Sequence, residues 1–191
     1  MKCHITGAIL LFLVSLSACA GKDFSELRQG IETRGHYIQS VPFYKQSEDT
    51  CGPAALAGVI SYWGWSADLK DITTQIYVPK LRGTLPMDME NFARKAGFDT
   101  SSSAGTLDDL KSFLRKDVPV ICLIDLGFGI YRRPHYVTAV GFDDTNAVLI
   151  EHDGRQANSV MEYDAFMRAW KRGAYWMLVI KPKAGEQKNE P

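Results

Sequence analysis

Between Pro119 and Asp153 the chain carries three apolar runs separated by short polar turns, and this pattern limits its folds more than any other. "VPVICLIDL" is continuously apolar, "HYVTAVGFD" alternates apolar with small or polar residues, and "AVLIEHD" follows the turn residues Asp143 to Asn146. Runs of this length bounded by turn residues read as consecutive antiparallel strands.

The chain before Pro119 has the other periodicity. Ala55, Leu56, Val59, Ile60 and Trp63 recur at spacings of three, four and seven, with Gly64 as a stop, which predicts a buried helix starting at Cys51. A short strand-like stretch, "YIQSVPFYKQ", precedes it. Further helices are expected over 67–77, over 85–96 capped by Thr84, and over 107–116 capped by Thr106. Tyr163 to Lys171 reads as a short helix and "AYWMLVIKP" as a last strand. Helices come first and sheet second, so the expected class is α+β, an N-terminal helical part packed on an antiparallel sheet. With 191 residues the chain suits one well-packed core.

The first residues read as a targeting signal, not as fold. Lys2 gives a positive start, Gly7 to Leu16 is almost wholly apolar, and Leu-Ser-Ala-Cys19 follows. The apolar stretch is shorter than the roughly 20 residues a spanning helix needs. Leu-Ser-Ala-Cys resembles the bacterial lipobox, which implies a signal peptide over 1–18 and acylation of Cys19. Residues 19–35 then form a lipidated tether, 36–182 the folded domain, and 183–191 a disordered tail. Two or more acyl chains suffice for stable anchoring. The expected location is the periplasmic side of the bacterial envelope, with Ala20 after the lipidated cysteine favouring the outer membrane. Lys plus Arg and Asp plus Glu both number 22, so no net charge points to nucleic acid as a partner.

The sequence has no Gly-rich phosphate loop, no HExxH or paired CxxC metal motif and no internal repeat, and no cofactor or metal is expected. Chemistry must come from single residues brought together. Cys51, at a predicted helix start, faces the positive end of the dipole and unpaired backbone N–H groups, which favour a thiolate. Gly52 lets a substrate backbone approach, and Pro53 suits the first turn. A base is then required: His135 opens an alternating strand and can face the Cys51 helix from the end of the sheet. His152 and Asp153 end the next strand with side chains on opposite faces, so only one of them can reach His135. Asp153 is the expected carboxylate orienting the imidazole, and Gln46 the amide donor toward a developing oxyanion. The same cysteine has a structural reading, because an oxidising compartment would allow Cys51 to pair with Cys122. A metal held by His135, His152 and Asp153 is possible on ligand type alone.

Together, "VPFYKQSEDTCGPAALAGVISYWG", "RPHYVTAVGF" and "VLIEHDG" resemble the papain-like cysteine peptidases of family 39, which process bacteriocin leaders at double-glycine sites. The resemblance spans nearly all of 38–182. It implies a papain-like fold, with Cys51 as nucleophile, His135 as general base and acid, Asp153 as orienter and Gln46 in the oxyanion hole. Members often carry Asp-Pro where this chain has Asp153-Gly154. The chain has no exporter or ATPase segment, so the leader-peptide substrate does not transfer directly. Expected partners are a polypeptide substrate, the bilayer through Cys19, and a secretion or surface-assembly system. The competing expectation is an inactive lipoprotein that uses the same groove to hold an extended peptide or to assist assembly of an exported protein. Amidase lipoproteins of papain-like fold resemble an Asp-Cys-Ser-Gly start, which Thr50-Cys51-Gly52-Pro53 does not match.

Overall fold

A computed structural model describes residues 23–47, 49–183 and 185, so the expected signal peptide over 1–18, Cys19 and most of the tail lie outside the described residues. In chain order the elements are α1 (Phe24–Leu27), α2 (Ile31–Arg34), β1 (Gly35–Tyr37), α3 (Cys51–Tyr62), α4 (Leu69–Ile76), β2 (Tyr77–Val78), β3 (Gly83–Thr84), α5 (Pro86–Lys95) and β4 (Asp99–Ala104). They continue with α6 (Leu107–Leu114), β5 (Val120–Asp125), β6 (Pro134–Asp143), β7 (Val148–His152), β8 (Ser159–Glu162), α7 (Tyr163–Arg172) and β9 (Trp176–Lys181).

One sheet organises the molecule. Its strands run β4-β9-β5-β6-β7-β8, with β1 also paired to β6, and every pairing is antiparallel. The three apolar runs of the sequence are the centre of this sheet, β5, β6 and β7, as their pattern predicts. Alternation sends Ile121, Tyr136, Leu178 and Ile180 to one face, where α3, α4 and α5 pack through Leu56, Val59, Ile60, Ile72 and Met89. The opposite face carries Val120, Cys122, Ile124, Val137 and Ala139, covered by Leu110 and Leu114 of α6 and by Phe166 and Trp170 of α7. Helices therefore cover both faces of an α+β domain, and α3, α4 and α5 take the face that positions Cys51.

Several expectations need correction. The tether over 19–35 does not hold from residue 23 onward: α1 and α2 dock on the sheet, with Leu27 and Ile31 buried and Arg34 bonded to the buried Asp143 carboxylate at 2.9 Å. Only two apolar side chains in this segment are buried, too few to show as a periodic pattern. The early strand is Gly35–Tyr37, paired with Asp143 to Gly141, and the residues after it run as coil. Thr84 does not cap α5. It belongs to β3, Leu85 is the cap residue and Pro86 takes the first turn, where its missing N–H costs nothing. Thr106 does cap α6, in a reciprocal box with Asp109.

Candidate active site

Cys51 stands at the first turn of α3, a helix buried along almost its whole length. Gly52 is required there: a Cβ on it would come within 2.8 Å of the Thr84 side chain, which the β2–β3 hairpin lays over the helix start. The Tyr136 hydroxyl donates to the Thr84 carbonyl at 3.0 Å and fixes that hairpin to β6. β7 pairs with β6 only as far as Thr138, so Tyr136 lies beyond the paired part of that edge. The backbone N–H groups of Tyr136, Gly52 and Cys51 itself favour the thiolate form of the Cys51 sulfur.

His135, the residue before Tyr136, lines the same cleft as Cys51 and Gln46, a cavity of about 730 Å³. Its Nε2 lies 2.7 Å from the backbone carbonyl oxygen of Asp153. A carbonyl only accepts, so Nε2 carries the proton. Nδ1 is then the unprotonated nitrogen, and it has no hydrogen-bond partner among the described residues.

The Asp153 side chain does not make the contact expected of it. Its Oδ1 accepts from the N–H groups of Arg155 at 2.8 Å and Gln156 at 2.6 Å, closing the turn after β7. Asp153 therefore holds His135 by its main chain and uses its carboxylate to shape the loop that presents that carbonyl. Gly154, at φ +79°, completes the turn, and a Cβ there would come within 2.4 Å of Gln46 Oε1. The Gln46 N–H in turn donates to the Gly154 carbonyl at 2.8 Å, so Gln46 is seated on this loop. Gln46 Oε1 is buried with no hydrogen-bond partner among the described residues.

His152 faces the other way, as alternation predicts. Nε2 donates to the Val41 carbonyl at 3.0 Å and Nδ1 accepts from the Asn158 N–H at 3.2 Å. With both nitrogens occupied it ties the coil preceding Gln46 to β7, and among the described residues the trio considered for a metal does not converge. Cys51 and Cys122 are both free thiols, and Cys122 is fully buried among residues of the opposite sheet face, so the disulfide reading fails.

The electrostatics differ from a preformed ion pair. Burial pushes the Cys51 thiol up, and the neighbouring backbone N–H groups offset this only in part. Burial likewise pushes the His135 imidazole down; the Asp153 carbonyl and charge oppose that, while Arg155 and Arg133 add to it. Both groups are thus held toward their neutral forms, a thiol and a neutral imidazole of fixed tautomer lining one cleft. The helix start does not lower the thiol pKa as the sequence argument expected, because desolvation of the buried sulfur is the larger effect.

Sequence reasoning named Cys51, Gln46 and His135, which the structure brings to one cleft, but did not place Thr84 and Tyr136 there. Tyr136 had no usable signal: with His135 expected to face α3, alternation sends its neighbour to the other face, whereas the structure packs Tyr136 with α3. Thr84 had none, because a two-residue strand shows no period.

A family profile described as the Peptidase_C39 like family matches residues 38–176. No curated protein matches the chain. Among solved structures it resembles a C39-like peptidase from Bacillus anthracis at 14% identity and TM-score 0.65, covering 78% of this chain and 98% of that one. It is also similar to a double glycine motif protease from an AMS/PCAT transporter in complex with its leader peptide, at 21% identity and TM-score 0.63, covering 78% and 95%. The peptidase domain of Streptococcus ComA, a bifunctional ABC transporter of a quorum-sensing pathway, aligns at 23% identity and TM-score 0.59, covering 75% and 99%. These likenesses agree on the papain-like fold already described, and with the profile spanning most of the folded region, the chain belongs to the Peptidase_C39 like family.

Proposed function

We propose that this protein is a cysteine peptidase that cuts a polypeptide in the bacterial envelope, anchored there by acylated Cys19. The observation that carries the reading is the His135 tautomer: Nε2–H is committed to the Asp153 carbonyl, leaving Nδ1 as base in the cleft that holds Cys51. As the Cys51 sulfur forms its bond to the scissile carbonyl carbon, its proton passes to His135 Nδ1. The Cys51 N–H and the Gln46 amide receive the oxyanion. When the intermediate collapses, the C–N bond breaks and His135 returns the proton to the departing amine. Water, deprotonated by the same nitrogen, then cleaves the thioester. The leader-peptide complex of the double glycine motif protease supports a polypeptide as the substrate class.

Iodoacetamide should label Cys51 in the folded protein, increasingly as pH rises, because burial holds the thiol protonated at neutral pH. Comparing envelope and secreted peptides of a strain carrying Cys51→Ala with wild type should show a missing cleavage product. Identical peptide sets from both strains would overturn the peptidase reading and favour the inactive peptide-binding one.

A further inference from the structure

The charged residues lining the cleft are unevenly balanced. Besides His135, the described lining contains Arg82, Arg133 and Arg155 against Asp49 alone. Arg82 is neutralised by Asp49, its Nε 2.8 Å from the carboxylate. Arg133 and Arg155 are different: neither guanidinium forms a hydrogen bond or ion pair with another described residue.

Their backbones, in contrast, are fixed. The Arg133 N–H donates to Asp125 Oδ1 at 2.8 Å, and the Arg155 N–H to Asp153 Oδ1 at 2.8 Å. In each case an aspartate that could have paired with the guanidinium is spent on the main chain beneath it. The adjacent Arg132 is handled the other way: it is ion-paired with Asp125 and donates to the Arg172 carbonyl at 2.6 Å. Two cations from two loops thus flank His135 in a cleft whose other described charged residues, Arg82 and Asp49, offset each other, in a chain with no net charge. Arg133 comes from the lead-in to β6, and Arg155 from the turn whose carbonyl holds the imidazole.

The geometry points to a carboxylate subsite beside the catalytic pair: Arg133 and Arg155 bind an acidic group of the substrate next to the scissile bond. The inference rests on the peptidase reading for its substrate, and on the cleft alone for its charge. An arginine pair suits a carboxylate because each guanidinium presents planar, bidentate donors. A bound carboxylate would also offset the positive field that both arginines impose on His135, so an acidic substrate would make the base stronger on arrival. The carboxylate has two sources, an Asp or Glu side chain near the cut or the free C-terminus of a short peptide.

The test uses two alkylating probes of Cys51 that differ in charge, anionic iodoacetate and neutral iodoacetamide. At low ionic strength the iodoacetate-to-iodoacetamide rate ratio should be at least threefold higher in wild type than in the Arg133→Gln/Arg155→Gln double variant. Raising salt should bring the wild-type ratio down to that of the variant, as screening requires. Both arginines are exposed, so the variant should keep the wild-type circular dichroism and melting behaviour. An equal ratio in the two proteins would overturn the subsite. Peptides then separate the two sources. Preference for Glu over Gln in C-terminally amidated peptides assigns the subsite to a side chain, and loss of preference on amidation assigns it to the terminus; no preference in either series overturns its role in substrate choice. If wild type cleaves no peptide or envelope protein while the labelling ratio holds, the peptidase reading fails and the anion subsite stands.

Discussion

The Nε2–H of His135 is held by an oxygen that belongs to the peptide backbone, and this determines what substitution at Asp153 should do. Asn keeps an oxygen able to accept from the Arg155 and Gln156 N–H groups, so Asp153→Asn should preserve the turn and retain activity within a few-fold. A carboxylate bonded directly to the imidazole would behave otherwise, since Asp→Asn at such a position costs roughly 10⁴-fold in kcat. Asp153→Ala removes the turn acceptor and should lower kcat much more than Asp153→Asn does, with steady-state kinetics on one peptide as the readout. The make-up of the cleft was legible in the sequence where a side chain sits at a readable position, as with Cys51 at a helix start and His135 on an alternating strand. The Asp153 contact was not legible, because every residue has a carbonyl and residue identity carries no sign of which one is used.

Elements with long apolar periods were read correctly: α3, β5, β6 and β7 each present a continuous buried face. Those that were missed gain their order from partners. β4, "DTSSSA", is polar and mostly exposed, and becomes a strand because β9 supplies its ladder from Asp99 to Ala104. α1 and α2 are single turns whose stability comes from docking, not propensity. Ile31 is 3% exposed within the main core, so Ile31→Ala should cost about 2 to 5 kcal/mol in urea unfolding. A melting curve unchanged by that substitution would restore residues 23–34 to the role of a loose tether.

Across the whole molecule, one buried acid sets a pH dependence of stability. Glu151 on β7 is 1% exposed, one carboxylate oxygen lacks a partner among the described residues, and burial pushes its pKa up to about 8. Below the ordinary glutamate range the group is protonated in both folded and unfolded chains and has no effect on the balance. From there to about 8 the unfolded chain releases its proton while the folded one keeps it, so stability falls as pH rises and the loss is complete above that value. Glu151→Gln abolishes this contribution; its stability relative to wild type, from urea midpoints at pH 5, 7 and 9, should rise by a few kcal/mol, at about 1.4 kcal/mol per pH unit. A constant difference would show that Glu151 does not titrate in this window. The placement of the two described cysteines has a practical consequence at the same scale. Cys122 is sealed behind the central strands while Cys51 opens on the cleft, so in a Cys51→Ala background an alkylating reagent reaches Cys122 only when the sheet opens. The rate of that capture, followed without denaturant, is a clock for spontaneous global opening that the protein carries in its own core.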